Sequence, residues 1–400
     1  MTNFRTLYID MDSFFASIEQ QLDPNLRNKP VAIAAIDNDS GCVVAASYEA
    51  KAYGIKTGTR VYEAKTLCPT INFRQSRHKL YAKYNRYISY LLDSVAELES
   101  VRSIDEFQIY LGNSHSKLSK AVDLSMKIKG LIRKEVGEEI RLSIGIGPNP
   151  LLAKIAGKIK KPNGLQWLCK ENMPGKINHL SLEDLPGISK GIKRRLLGAR
   201  IYSIKDLHEM DPRHARLVWR SIEGERFVRS LKGENIPINR SNRGSYGNSK
   251  VLSPENRSPN RAYLVGRWLL EKSTERIRKY NYCSSRLDVF IRLSDIGVWQ
   301  DSITFSFSQD TLFFLKEFKG LWDKMILTLD PKKVDFVGVR LSGLIYLKDR
   351  SGEFLLNLYP GEKNTREKLS TSIDNLNMRY GKRIINFGVH REHPGFFERE

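Results

Sequence analysis

Two carboxylates stand two positions apart at the end of an apolar run, Leu7-Tyr8-Ile9-Asp10-Met11-Asp12, and a second acidic pair, Asp105-Glu106, follows far downstream. The residues ahead of Asp10 read as a buried strand. Alternation places Asp10 and Asp12 on one side of it, where their charges repel unless a cation lies between them. A hard divalent ion suits that position. If Asp105 and Glu106 came beside Asp10, three carboxylates would converge. Such a set fits two-metal phosphoryl transfer: one Mg²⁺ lowers the pKa of an attacking hydroxyl, and the other grips a triphosphate and its leaving pyrophosphate. Against this stands the plain alternative that Asp12 and Glu106 only cap or turn the chain. Tyr48 and Lys51 lie three apart at the start of a helix beginning near Ser47, on a face where backbone N–H groups already favour an anion, although taken alone the pair reads more readily as ordinary surface residues. Lys154, Lys158, Lys160 and Lys161 precede the turn Pro162-Asn163-Gly164 and would face a triphosphate or solvent.

A scaffold must bring these residues together. A strand over residues 4–11 leads to a helix from Ser13 to Gln20, then to apolar runs Val31 to Ile36 and Cys42 to Ala46 separated by turn residues. Helical spacing covers Leu80 to Leu98, a hairpin follows over Val101 to Tyr110, a second helix runs from Leu118 to Val136, and Ile140 to Ile146 alternates as a strand. With residues 13–79 treated as an insertion, the order is that of a ferredoxin-like split βαβ sheet, whose central strands would set Asp10 beside Asp105 and Glu106.

From Ser181 a small helical module begins, with Leu185-Pro186-Gly187-Ile188 as a hairpin between two short helices. The N-terminus at Ser189, Lys190 and Gly191, followed by Lys193 and Arg194, offers donors to a DNA phosphate. Residues 233–260 read as a basic linker. A further α/β unit follows: a basic helix from Arg261 to Tyr280, strands at Leu287 to Leu293 and Ser302 to Phe307, a helix from Leu312 to Leu329, and a strand at Phe336 to Leu341. Beyond Tyr346 the chain turns polar, with a short apolar insertion at Phe354 to Tyr359, and reads as partly ordered.

Over 400 residues, 66 Lys and Arg oppose 45 Asp and Glu, a net charge of +21 that is most simply balanced by a polyanion such as nucleic acid. Cys42, Cys68, Cys169 and Cys283 form no CxxC pair, which speaks against a zinc knuckle or disulfide framework and fits a reducing compartment. No apolar run reaches the roughly 18 to 20 residues of a membrane helix, and no signal peptide is visible, so an intracellular protein is expected. His390 and His393 lie close together in a polar tail, where solvent exposure is more to be expected than metal binding.

Five motifs in order carry a family likeness: Tyr8-Ile9-Asp10-Met11-Asp12-Ser13-Phe14-Phe15-Ala16-Ser17-Ile18-Glu19, Ala46-Ser47-Tyr48-Glu49-Ala50-Lys51, Ser103-Ile104-Asp105-Glu106, Lys161-Pro162-Asn163-Gly164 and Leu185-Pro186-Gly187-Ile188. Over roughly its first 345 residues the chain resembles the Y-family, translesion DNA polymerases, and its closing segment is most similar to the UmuC-type (ImpB-MucB-SamB) branch. The resemblance implies an α+β right-hand fold. Its ferredoxin-like palm would span 1–12 and 80–180, inserted fingers 13–79, a helix-hairpin-helix thumb 181–240, an α/β little finger 241–347, and a C-terminal tail 348–400.

It also implies roles. Asp10 and Asp105 would ligand two Mg²⁺ ions, with Mn²⁺ able to substitute, Glu106 beside them and Met11 giving a backbone carbonyl. Tyr48, Lys51 and Lys161 would hold the incoming dNTP. Phe15 falls at the steric gate, where a ring under the sugar leaves no room for a 2′-hydroxyl, and Phe14 is its core neighbour. Gly187, Ser189, Gly191, Lys193 and Arg194 would grip primed template DNA. Leu355, Leu356, Leu358 and Tyr359 resemble a sliding-clamp segment, with Leu355 where Gln is expected and Tyr359 where Phe is. Lys51 replaces the usual Arg, a point charge in place of a bidentate fork. Phe107 stands where a small residue is common, and Ala45 where a hydroxyl is.

The implied activity is error-prone synthesis past damaged template by a cytoplasmic, nucleoid-associated bacterial enzyme with damage-response accessory partners. Ala45, Ala46, Ala50 and Ala52 supply little bulk to check a nascent pair. Two other classes are weighed beside it. A non-catalytic scaffold on DNA would not need clustered carboxylates. A nucleotidyl cyclase would not need a basic thumb and little finger.

Overall fold

The computed structural model describes residues 3–34, 39, 41–237, 243–353, 360–381 and 383–391. The chain divides into two compact units, 1–238 and 239–395.

The first unit opens with β1 (Thr6–Met11), buried at every position but Asp10. It continues through α1 (Phe14–Leu22), β2 (Val31–Ala34), β3 (Val43–Ala46), α2 (Tyr48–Lys51), α3 (Val61–Leu67), β4 (Asn72–Gln75) and α4 (His78–Asp93). Then come β5 (Leu98–Val101), β6 (Glu106–Tyr110), α5 (Leu118–Glu135), β7 (Leu142–Gly147), α6 (Pro150–Ile159) and β8 (Leu165–Trp167). The main sheet has the order β5-β6-β1-β7-β8, and β3-β2-β4 form a separate three-stranded sheet. Apart from β8, the main sheet has the ferredoxin-like order, with β1 and β6 central.

Side-chain parity gives that sheet two different faces. Leu7, Ile9, Met11, Phe107, Ile109, Ile144 and Ile146 pack with Ile88 and Leu92 of α4 and Ile128 and Ile132 of α5 in one core. Tyr8, Asp10, Glu106, Ser143 and Gly145 therefore point the other way, toward α6. The helix comes close because β7 carries glycine there: a Cβ on Gly145 would stand 1.9 Å from the Ala153 carbonyl oxygen, which no side chain survives.

Helices α7 (Lys190–Gly198), α8 (Ile204–Glu209), α9 (Pro212–Trp219) and α10 (Ile222–Leu231) share a core with Leu152, Ile155 and Ala156 of α6. The expected hairpin between two short helices is only half helical. Its first arm is a single 3-10 turn, Leu182–Asp184, after which Gly187 takes φ +96° and Ser189 caps α7. Three residues are too few for an α-helical turn to repeat.

The second unit holds β9 (Ser245–Val251), α11 (Pro259–Lys279), β10 (Tyr282–Leu293), β11 (Gly297–Ser308), α12 (Thr311–Leu329), β12 (Val334–Tyr346) and α13 (Pro360–Arg379). Its sheet runs β11-β10-β12-β9, all antiparallel, with Leu287, Val289 and Ile291 buried against Leu269, Phe314 and Phe318.

One expectation is corrected. The stretch read as a linker contains β9, whose inward position at Asn248 is polar and donates to the Leu269 carbonyl (3.2 Å) and Ser273 Oγ (2.8 Å). In the polar C-terminal stretch, expected to be partly ordered, the described residues are anchored at several points. Arg278 clasps Asp374 at 2.6 and 2.9 Å, Arg350 clasps Glu367 at 2.8 and 3.0 Å, and Arg267 donates to the carbonyls of Phe387 (2.7 Å) and Val389 (2.9 Å). Arg267, Glu271, Glu275 and Arg278 form one stripe along α11, so polar residues of the tail find polar partners.

Candidate active site

Asp10 of β1 lies opposite Glu106 of β6 in the strand register, and the Met11 N–H donates to the Asp105 carbonyl at 2.9 Å. Asp10, Asp105 and Glu106 thus stand at adjoining strand ends. Each carboxylate has its own partner. Lys161 Nζ bonds Asp10 and lies 3.6 Å from Asp12; Lys154 Nζ lies 2.6 Å from Glu106 and donates to the Tyr8 hydroxyl at 3.1 Å; Ser103 Oγ donates to Asp105 at 2.6 Å.

Among the described residues, no three carboxylate, imidazole or thiolate groups form a ready-made cage; Asp10, Asp105 and Glu106 are neighbours, each held by a separate partner. The cation between Asp10 and Asp12 is the Lys161 ammonium. Asp12 is only 1 % exposed, accepting from Tyr48 Oη (3.2 Å), Ser143 Oγ (2.8 and 3.0 Å) and the Asn163 N–H (2.8 Å).

Burial raises the Asp10 carboxyl above its ordinary range; Lys161 opposes this, and the charges of Asp105 and Glu106 add to it. For Glu106 burial pushes up too, but the hydrogen bond and charge of Lys154, with Tyr8, carry it below the usual range. Clustered hard oxygens with a raised member fit a divalent cation. Mg²⁺ keeps waters and substrate phosphates among its ligands, so a closed cage is not needed. The Met11 side chain is buried in the core, which leaves its backbone carbonyl as the group it can offer.

On the neighbouring α2, Lys51 Nζ lies 4.2 Å from the Tyr48 ring centroid and donates to Ser13 Oγ at 2.7 Å. Desolvation, then the charge of Lys161, lowers the Lys51 ammonium. Phe14 and Phe15 are both core residues; Phe15, 6 % exposed, stacks on Tyr81 at 4.2 Å and 14°. Phe107 is fully buried in the core opposite the carboxylates, so this departure does not crowd them. Ala46 and Ala50 are buried in the core of the small sheet, and Ala45 and Ala52 are less covered.

At the hairpin, Gly187, Ser189, Gly191 and Arg194 are exposed, while Lys193 is paired with Glu183 at 2.9 Å. Lys154 and Lys158 lie four apart on one face of α6, and Lys161 follows in the turn after it; that spacing is the sequence signal for the role of Lys154 beside Glu106. In the second unit, Asp288 holds Arg286 (2.7 Å) and Arg340 (3.1 Å) on the sheet face opposite the helices, where Arg340 also lies 5.1 Å from the Phe290 ring. Alternation of Arg286, Asp288, Phe290 and Arg292 with apolar residues was the signal for that face. Leu355, Leu356, Leu358 and Tyr359 lie outside the described residues. Among the described residues no helix is long and apolar enough to cross a membrane.

Residues 9–158 match the impB/mucB/samB family, and residues 243–354 match the impB/mucB/samB family C-terminal domain. The DNA polymerase IV of Moorella thermoacetica is 30 % identical over 397 residues, covering 96 % of this chain and 95 % of its own. DNA polymerase IV 1 of Bacillus subtilis is 29 % identical over 389 residues, covering 96 % and 92 %. Among solved structures, a Y-family DNA polymerase chimera of Dbh and Dpo4 superposes with a TM-score of 0.71 at 24 % identity, covering 86 % of this chain and 99 % of its own. An insertion ternary complex of Dbh DNA polymerase gives 0.58 at 24 %, with the same coverage. The structural likenesses speak to the fold.

Proposed function

The chain belongs to the impB/mucB/samB family, the Y-family DNA polymerases, and from that membership we propose template-directed, error-prone DNA synthesis past damaged template by two-metal nucleotidyl transfer. It is a DNA-directed DNA polymerase. The observation that carries the mechanism is the adjacency of Asp10, Asp105 and Glu106 at the ends of β1 and β6, faced by Lys154 and Lys161.

Asp10, Asp105 and Glu106, with the Met11 carbonyl, are the groups that would hold two divalent ions, Mg²⁺ or in substitution Mn²⁺. Such ions supply acidity to a primer 3′-hydroxyl and charge to the departing pyrophosphate. Lys51 and Lys161 bind the triphosphate of the incoming dNTP as point charges, with Tyr48 between α2 and the carboxylates. Phe15 closes the space beneath the sugar and Phe14 backs it. The backbone at Gly187, Ser189 and Gly191, with Lys193 and Arg194, takes a phosphate of the primed template. A sliding-clamp contact through Leu355, Leu356, Leu358 and Tyr359, recruitment by damage-response partners, a nucleoid location and the narrower UmuC-type assignment belong to the proposal on sequence grounds alone.

Primer extension on undamaged and abasic templates tests the core of it. Wild type is expected to extend both with Mg²⁺, and Asp105→Ala to extend neither while binding primed DNA as before. A wild type that binds primed DNA yet extends nothing, even with Mn²⁺, would turn the chain into a scaffold.

A further inference from the structure

We propose that Asp12 is a positioning residue of the nucleotide site: a buried carboxylate that holds no ion and sets the spacing of the Lys51 and Lys161 ammonium groups. The inference rests on the polymerase reading and deepens it.

Asp12 sits two residues beyond Asp10 on the same side of β1, yet its chemistry differs. At 1 % exposure, with both oxygens already accepting hydrogen bonds and the Lys161 ammonium 3.6 Å away, it has no edge left for a metal ion. Its donors come from three separate elements: Tyr48 on α2, Ser143 on β7, and Asn163 in the turn after α6. One carboxylate therefore ties the small-sheet insertion, the main sheet and the lysine-bearing turn together.

Two chains of contact lead from it to the lysines. In the first, the single proton of the Tyr48 phenol is given to Asp12, which fixes the ring. Lys51 Nζ lies 4.2 Å from that ring's centroid and donates to Ser13, the residue next to Asp12. In the second, the Asn163 N–H bonded to Asp12 pins the turn that Lys161 opens. Lys129 braces the same turn from behind, donating to the Asn163 carbonyl (2.8 Å), Asn163 Oδ1 (2.7 Å) and the Leu142 carbonyl (2.8 Å). Lys161 Nζ itself stands 3.6 Å from Asp12. The two ammonium groups repel each other, so their separation is held by the scaffold, and a triphosphate contacting both depends on that separation.

The experiment uses the full chain bound to primed template ended by a 3′-dideoxynucleotide, so that the next correct dNTP binds without reacting. Its affinity is titrated for wild type, Asp12→Asn, Tyr48→Phe and the double variant, alongside primed-DNA affinity, Mn²⁺ half-saturation and Tm. Asp12→Asn keeps the shape but replaces an acceptor by a donor facing other donors. Each single variant is expected to weaken dNTP binding about tenfold, the double no more than the weaker single, with DNA affinity and Mn²⁺ half-saturation unchanged. In extension assays on an ordinary primer, the KM for dNTP should rise with kcat held within about threefold.

Asp12→Asn with wild-type dNTP affinity overturns the proposal, as do losses that multiply in the double variant. A shift in Mn²⁺ half-saturation with unchanged dNTP affinity does so as well, since it would make Asp12 an ion ligand. If Asp12→Asn does not fold, Tyr48→Phe and Lys51→Met replace it: losses that fail to multiply support the relay through the ring, and multiplying losses overturn it. A wild type that binds dNTP but does not extend an ordinary primer counts against the polymerase reading alone; one that binds no dNTP sinks both.

Discussion

At the scale of single residues, the two aromatic rings after Asp12 show how burial and function meet. Phe15 stacks on Tyr81, whose hydroxyl donates to Glu19 at 2.8 Å, and Glu19 is in turn paired with Arg77. A ring backed in this way has no room to retreat, which is what the proposed gate against a 2′-hydroxyl requires. Phe15→Ala is expected to lose about 3 kcal/mol or more of stability, the usual cost of emptying a buried aromatic site. It should also lower discrimination against ribonucleotides by about 10- to 100-fold, since the excluded volume is gone. Competitive incorporation of rNTP and dNTP, read beside a thermal melt, measures both. A folded variant with unchanged discrimination would move the gate to another residue, Phe14 first. The motifs made Asp10, Asp105, Glu106, Tyr48 and Lys51 legible as residue types. The partner of Asp12 was not legible, because spacing shows that a cation belongs between Asp10 and Asp12 but not that the chain supplies it as Lys161, 151 positions beyond Asp10.

At the scale of elements, alternation and helical spacing found β1, β6, β7, α4 and α5, since their burial is apolar and periodic. They missed β9, whose inward face sets the polar Asn248 next to the buried Tyr246 and so breaks the apolar alternation, and α13, which is held through polar partners such as Glu367 and Asp374. Glu271 of α11 illustrates what such contacts cost: it is 2 % exposed, with Arg383 at 3.4 Å and His390 at 3.8 Å, and burial raises its carboxyl above the ordinary range in spite of them. In the window between the unfolded value, about 4.3, and the raised folded one, the folded state binds the additional proton. Stability from this group therefore falls as pH rises through that window, and the full penalty of the buried charge is present at neutral pH. Glu271→Gln removes the titration. The Tm of wild type relative to Glu271→Gln is expected to rise as pH is lowered from 7.5 to 5; a difference that stays flat or shrinks would place the charge in a better solvated site than the structure gives it.

At the scale of the whole molecule, net charge was legible from composition alone, but how much of it is available to a partner was not. Lys154, Lys161, Arg278, Arg350 and Arg383 are paired with carboxylates within the fold, so not all of the 66 Lys and Arg are free to meet phosphates, although the net charge stays at +21. Others are presented outward: Arg194 at the hairpin, and Arg286 and Arg340, which Asp288 orients while about half of each side chain stays in solvent. Each phosphate neutralised releases counterions, so the logarithm of the DNA affinity should fall linearly with that of salt, at a slope near 0.9 per contact. For about 6 to 10 contacts, primed-DNA affinity is expected to drop about 10³- to 10⁵-fold between 50 and 200 mM salt. Arg340→Ala should make that slope shallower by about one, whereas Asp105→Ala should leave it unchanged. The two variants thus separate grip from chemistry. A slope that Arg340→Ala does not change would mean that the Asp288 fork meets solvent instead of a backbone phosphate, and that the grip on DNA lies elsewhere in the chain.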